Sequence, residues 1–377
     1  MRIIGNITEI ESLDEFVSLK GHLVNIAVQG LDLSNASIDP ENHAVENAWF
    51  LGCTFASDDL VGRLRAAGAM VFPGFDELPY SPYRGSLYTV AELMEGYTPE
   101  NDQSVDKHIY DHFVRGREQG TDIIESLAQR LHDHAIDNAL HALLEGRDDT
   151  AGRKKVVGIM GGHGTHRTDP FFKTVSRIAR QLTRDGYFVI SGGGPGIMEA
   201  ANLGAWLAPH PDEALEDALA LLATSPHYTS EGFMRAADSV VKKYPGGAQS
   251  LAIPTWFYGH EPSNLFATHI AKYFSNSLRE DGLLAIALHG VIYAPGSAGT
   301  LQEVFMDLCQ NHYGTLRFIS PMVFLGEAYY RDKTMLYPLL RSFARGRDYE
   351  AYLSISDDAE EVVHFIHAHP PLRLDRA

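Results

Sequence analysis

The chain has 377 residues, of which 45% are hydrophobic and 21% charged, with a formal net charge of −18 at pH 7. That length can bury a large core over two or more domains. The acidic balance, with no basic stripe, excludes a nucleic-acid footprint, so any anionic ligand must be held locally by backbone amides and a few arginines. Cys53 and Cys309 are the only cysteines, too few for a disulfide framework or a cysteine zinc site. No uninterrupted apolar run reaches membrane-spanning length. A soluble, cytoplasmic protein with no membrane partner is expected.

Residues 1–85 read as a small β-rich unit, with short apolar runs such as Leu23–Val28 and Ala69–Phe72 bounded by Gly, Pro, Asn and Asp. Leu31–Ala36 and Ala48–Phe55 read as an irregular β layer, with a five-residue coil that stacks Phe50 and Phe55 inside as the alternative. Residues 86–150 read as a helical connector, because Ile123, Leu127, Leu131, Ile136, Leu140 and Leu144 make an apolar stripe. His108 and His112, four apart, and His134 and His141, seven apart, each share a helix face. No His-Glu-x-x-His pattern accompanies them, so solvated or interface histidines are expected and no metal site. The polar, glycine-flanked stretch Gly146–Arg153 marks the domain boundary.

From 151 to 377 strands and helices alternate. Val156–Met160, Tyr187–Ile190, Ser250–Pro254, Val291–Ala294 and Pro321–Leu325 read as buried strands, and a helix is expected through Phe266, Ile270 and Phe274 up to Gly282. Asp169 suits a helix N-cap and Pro170 the first helical position. The fold class expected is α/β: a doubly wound, mostly parallel Rossmann-like sheet, preceded by the smaller β-rich and helical region, with ligands at the carboxyl ends of the strands.

Two glycine-rich stretches organise this part, Ser191–Glu199 and Pro295–Glu303. Each follows an apolar strand and leads into a helix. A helix N-terminus after such a turn attracts anions, since its first amides lack intrahelical partners and its dipole favours negative charge. Redox dinucleotide binding is disfavoured. The first turn, Gly162-His163-Gly164-Thr165-His166-Arg167, lacks the third glycine, and the second strand ends in Ser191-Gly192 rather than an acid. No Walker-type Gly-x-x-x-x-Gly-Lys-Ser/Thr occurs.

The sequence Gly192-Gly193-Gly194-Pro195-Gly196-Ile197-Met198-Glu199, followed by Pro295-Gly296-Ser297-Ala298-Gly299-Thr300-Leu301-Gln302-Glu303, resembles the signatures of the LOG family, Gly-Gly-Gly-x-Gly-x-Met and Pro-Gly-Gly-x-Gly-Thr-x-x-Glu. Members long labelled lysine decarboxylases are phosphoribohydrolases that cleave the N-glycosidic bond of nucleoside 5′-monophosphates. No motif for a pyridoxal lysine is present here. The resemblance, over roughly 153 to 330, implies that Gly162, Gly193, Gly194, Gly196, Met198, Gly296, Ser297, Gly299 and Thr300 bind the phosphate and ribose. It implies Glu303 as the catalytic glutamate and Arg279 as the catalytic arginine. Arg279 lies sixteen residues before Pro295, one residue off the family spacing, and Ser297 replaces a motif glycine.

Two other roles compete. Thr300-Leu301-Gln302-Glu303 is also a capping box, and Arg279 before Gly282 would suit the last turn of a helix. Asp307, one turn after Glu303, is expected on a solvated face. His163, Arg167, Thr255, His260 and Asn264 fall on strand-end loops that could meet base or sugar. The expected function is hydrolysis of a nucleoside 5′-monophosphate to free base and ribose 5-phosphate, with no metal or organic cofactor, in a homodimer or higher homo-oligomer. The alternative is a non-catalytic nucleotide-binding sensor or scaffold.

Overall fold

The computed structural model describes residues 7–72, 74–75, 77–98, 101–145 and 153–374. Of the expected boundary stretch, Gly146–Gly152 lies outside them. The chain divides into two compact units, Met1–Ser86 with Gly116–Ala139, and Leu87–Arg115 with Leu140–Ala377.

In the first unit the strands Thr8–Ile10, Leu23–Gln29, Val45–Leu51 and Met70–Phe72 form one parallel sheet in chain order. Leu23 pairs with Val45 and Val28 with Phe50, a step of 22 residues, and the same step pairs Asp32-Leu33 with Thr54-Phe55. The step is 18 residues from the first strand to the second and 21 from the third to the fourth, so the unit is a parallel coil with unequal turns rather than a five-residue coil. Its repeat is carried by Asn25 and Asn47, both left-handed, with Asn47 Nδ2 donating to Asn25 Oδ1 at 2.9 Å. Such stacked asparagines close a backbone kink at equivalent points of successive turns. Val28, Leu33, Ala48 and Phe50 fill the interior, and Phe50 and Phe55 meet edge to face at 5.4 Å. In this unit His132 is buried with Nδ1 3.2 Å from Asp133, and His134 approaches Glu9 at 3.2 Å.

The second unit is built on seven parallel strands: β1 (Lys155–Met160), β2 (Tyr187–Ser191), β3 (Leu251–Ala252), β4 (His269–Ile270), β5 (Val291–Tyr293), β6 (Met322–Phe324) and β7 (Leu353–Ile355). They lie side by side in the order β4-β3-β2-β1-β5-β6-β7. This is a doubly wound α/β sheet, with its change of winding direction between β1 and β5, where such folds open a crevice. The central strands are buried over nearly their whole length, which is why they are near-continuous runs of apolar residues.

Helix α1 (Pro170–Arg184) follows β1. Asp169 caps it by accepting from the Phe171 amide at 2.8 Å, and Pro170 takes the first position. Helix α2 (Ile197–Trp206) follows β2, α3 (Asn276–Ile286) precedes β5, and α4 (Ala298–Tyr313) follows it. The core joins Val157, Ile159, Val175, Ile178, Leu203 and Ile292, all with no exposed surface. The expected helix through Phe266, Ile270 and Phe274 does not exist. Four-residue spacing imitated a helix face, yet His269–Ile270 is the edge strand β4, drawn into the sheet by backbone bonds such as His269 N–H to the Ser250 carbonyl. The helix there starts only after Ser275 and runs through Gly282.

Candidate active site

β2 and β5 flank β1, so the two glycine turns emerge at neighbouring strand tips beside the winding change. The first turn is a closed structure. The Ser191 hydroxyl donates to Asn202 Oδ1 at 2.7 Å and accepts from the Gly193 amide at 3.1 Å. Asn202 Nδ2 donates to Ser250 Oγ at 2.9 Å, and Asn264 Nδ2 donates to Asn202 Oδ1 at 2.9 Å. The first amide of α2, that of Ile197, is already bonded to the Gly162 carbonyl at 3.1 Å, and the Gly162 amide to the Pro295 carbonyl at 3.0 Å. Gly196 has φ +69°, and a Cβ there would collide with the Gly162 carbonyl. Only glycine fits at that point.

The second turn is open. α4 begins after Ser297, which makes no side-chain cap bond and has φ −111°. That value suits any residue, so serine in place of the motif glycine costs the backbone nothing. The first amides of a sixteen-residue helix thus face outward with the positive end of its dipole.

Both turns border one cavity of about 560 Å³. The first supplies Gly193 and Met198, the second Ser297, Gly299 and Thr300, and Arg279 and Glu303 complete the wall. Gly162, Gly194, Gly196 and Gly296 do not line it. Gly162 and Gly196 pack against each other, Gly296 against the Thr300 side chain, and Gly194 against Met198 and Glu261.

Arg279 is buried, and its position corrects the dipole reading: it lies in the N-terminal half of α3, where a cation gains nothing from the helix. Its Nε donates to the Ile253 carbonyl at 2.7 Å, Nη2 to the Gly192 carbonyl at 3.3 Å, and Nη1 to Glu303 Oε1 at 3.3 Å. The guanidinium therefore bridges the tips of β2 and β3 to α4. A Cβ on Gly192 would come within 2.5 Å of it, so the first glycine of the turn makes room for the arginine.

Glu303 is buried and lies beyond the first turn of α4, with its carboxylate on Arg279, so the capping-box role does not apply. Burial raises its pKa; Arg279 opposes this and the neighbouring Glu280 reinforces it, leaving the carboxyl above its ordinary range. Glu280, also buried, accepts from Gln302 Nε2 at 2.6 Å. Asp307 is buried rather than solvated; desolvation pushes its carboxyl up to about 7 while the Tyr293 hydroxyl, donating at 2.8 Å, pulls the other way.

Of the loop candidates, His163, Thr255, His260 and Asn264 line the cavity. Arg167 does not: it is buried in a two-bond pair with Glu199, its Nε 2.8 Å from Oε2, and stacks 3.5 Å over the Phe233 ring. It anchors the inserted helix Phe233–Lys243. Sequence reasoning missed Lys272 and Asp106. Buried Lys272 reaches both oxygens of Asp106, at 2.7 and 2.9 Å, and Trp256 Nε1 donates to the same carboxylate at 2.8 Å. Separated by 166 residues, the pair leaves no local pattern to read.

Residues 154–208 match the family described as SLOG cluster4. The matched stretch runs from just before β1 to just past the end of α2. Among curated proteins none matches the chain. Among solved structures, the chain is similar to the molybdenum cofactor binding protein from the phototrophic bacterium Rippkaea orientalis, at 17% identity and TM-score 0.37, over 57% of this chain and 97% of that one. It is also similar to the molybdenum cofactor carrier protein from Chlamydomonas reinhardtii, at 15% identity and TM-score 0.38, over 57% of this chain and 98% of that one. Among the described residues no helix is long and apolar enough to cross a membrane, and no three His, Cys, Asp or Glu side chains are grouped to hold a metal ion.

Proposed function

We propose that the LOG-like unit hydrolyses the N-glycosidic bond of a nucleoside 5′-monophosphate, releasing free base and ribose 5-phosphate. The observation that carries this reading is the buried Arg279–Glu303 pair on the wall of the cavity that both glycine turns border. The open amides at the start of α4 suit a phosphate, because they offer donors and a favourable dipole without needing a basic surface. The sugar then lies toward Glu303.

Cleavage passes through a state with positive charge spread over the ribose ring. The Glu303 carboxylate stabilises that charge and takes a proton from the attacking water, whose oxygen bonds to the anomeric carbon. The electron pair of the broken C–N bond leaves with the base, and the proton taken by Glu303 is returned to that nitrogen by way of solvent. A positioned base of this kind contributes roughly 10²–10⁴ in rate. Arg279, fixed by two carbonyls, keeps the carboxylate ionised and aimed.

The same salt bridge supports a second reading, a nucleotide sensor without turnover, because a carboxylate bonded to a guanidinium is a weaker base. Incubation of the purified chain with AMP, GMP, CMP, UMP and IMP, followed by chromatography for free base, separates the two. Base released from any of them supports hydrolysis. Tight binding with no release supports the sensor.

A further inference from the structure

The cavity has a second charged end that the reaction above does not use. Lys272 follows β4, on the outer side of the sheet, and lines the cavity together with His260 and Ser263. The same cavity is lined by Ser297, Gly299 and Thr300 at the start of α4 and by Lys272 after β4, so on the nucleotide reading a phosphate held at α4 leaves the base in the part of the cavity toward β3 and β4.

This end is built. Lys272 is 4% exposed and its ammonium is fixed by both Asp106 oxygens, 5.2 Å from the centre of the Trp256 ring. Burial works to raise the Asp106 pKa; the Lys272 charge, with His260 beside it, overcomes this and holds the carboxyl at about 2. Asp106 thus stays ionised and neutralises the lysine, so this end offers hydrogen bonds rather than a net charge. Two buried polar atoms on the same wall, His260 Nε2 and Ser263 Oγ, make no hydrogen bond within the chain. His260 Nε2 lies 3.5 Å from Asp106 Oδ2, a long contact that helps hold that carboxylate charged, so Ser263 Oγ is the plainer of the two open positions. Buried polar atoms left unpaired are costly, and a ligand that meets them recovers that cost.

We propose that Lys272, positioned by Asp106, reads the nucleobase and selects bases that present a carbonyl oxygen to it; this rests on the nucleotide reading given above. An ammonium is a donor only, with three N–H groups and no acceptor. Asp106 takes two of them, leaving one for the cavity. A 6-oxo purine offers that donor an oxygen, whereas a 6-amino purine turns N–H groups toward it and leaves both sides unpaired.

IMP and AMP differ in this respect, and ribose 5-phosphate carries no base at all. Calorimetric dissociation constants for the three, all taken in a Glu303→Gln background so that the nucleotides stay intact, test the assignment on the full chain, the wild type being here the chain unaltered at Lys272 and Asp106. The wild-type protein is expected to bind IMP about tenfold or more tightly than AMP, the scale of one hydrogen bond to a charged group. In Lys272→Met combined with Asp106→Asn, which leaves no buried charge unpaired, the ratio falls to near one while ribose 5-phosphate binds as before. Asp106→Asn alone weakens IMP without weakening ribose 5-phosphate, since the ammonium loses both its aim and its counter-charge at the base end of the cavity.

Equal affinity for IMP and AMP in the wild type, or a ratio that survives the double variant, overturns the role of Lys272 and leaves the nucleotide reading standing. So does an equal loss for ribose 5-phosphate, which would place Lys272 at the phosphate or in the scaffold. If the wild type binds none of the three, the nucleotide reading fails and this assignment fails with it.

Discussion

The two glycine turns look alike in sequence and differ in construction. The first is sealed: Ile197 gives its amide to Gly162, Gly196 leaves no room for a side chain, and Ser191, Asn202, Asn264 and Ser250 bind the turn to β3. The second leaves its helix amides open, tolerates serine at φ −111°, and has empty space around Gly299. Gly196 in the first turn serves packing, whereas Gly299 in the second borders the cavity. A glycine-rich motif is therefore not evidence, residue by residue, of contact with what the site binds.

Substitutions test that contrast directly. The largest effect is expected at Gly196→Ala, where positive φ and a clash with the Gly162 carbonyl act together. Stability should fall by about 3–5 kcal/mol, the scale of severe single substitutions, read by denaturant midpoint. Next comes Asn202→Ala, which leaves the hydroxyls of Ser191 and Ser250 short of a partner in a closed core and should cost about 2–3 kcal/mol. A Gly196→Ala protein as stable as the wild type would remove the basis for calling the first turn closed.

Asp307→Asn probes the ground behind Glu303. The folded Asp307 carboxyl titrates near 7 against an ordinary 3.8. Its neutral form is the one the fold accepts, so this stabilisation is complete below the ordinary value and is lost as pH rises through about 7. The wild-type unfolding midpoint should drop across that window, and the drop should be smaller in Asp307→Asn. Equal drops would mean that Asp307 does not carry the dependence. The smallest effect is expected at Gly299→Ala. Nothing lies within 4 Å of the added methyl, and alanine favours a helix start, so stability should change by less than about 1 kcal/mol. Nucleotide affinity should nonetheless drop, because the methyl enters the cavity.

The seven-stranded sheet was legible where strands are buried on both faces, since Val156–Met160, Tyr187–Ile190 and Val291–Ala294 are short apolar runs punctuated by glycine. β4 was not, because Phe266, Ile270 and Phe274 repeat at helical spacing and only the pairing of His269 with its neighbour strand decides the matter. The 22-residue step of the first unit spans only two full turns, too few to stand out as a repeat, although Asn25 and Asn47 mark it. The family motifs pointed to Glu303 and Arg279, whose side chains meet at 3.3 Å. They carried no information about Lys272 and Asp106, which only the folded chain brings together.

The central claim is that Glu303 acts on the sugar at the mouth of the second turn. Its raised pKa predicts that base release declines toward acid at a pH above the ordinary glutamate range. Glu303→Gln keeps the size of the side chain and a group for Arg279 to bond while removing the base. Released nucleobase should fall at least a hundredfold with the nucleotide dissociation constant little changed. Undiminished release in that variant would contradict the account.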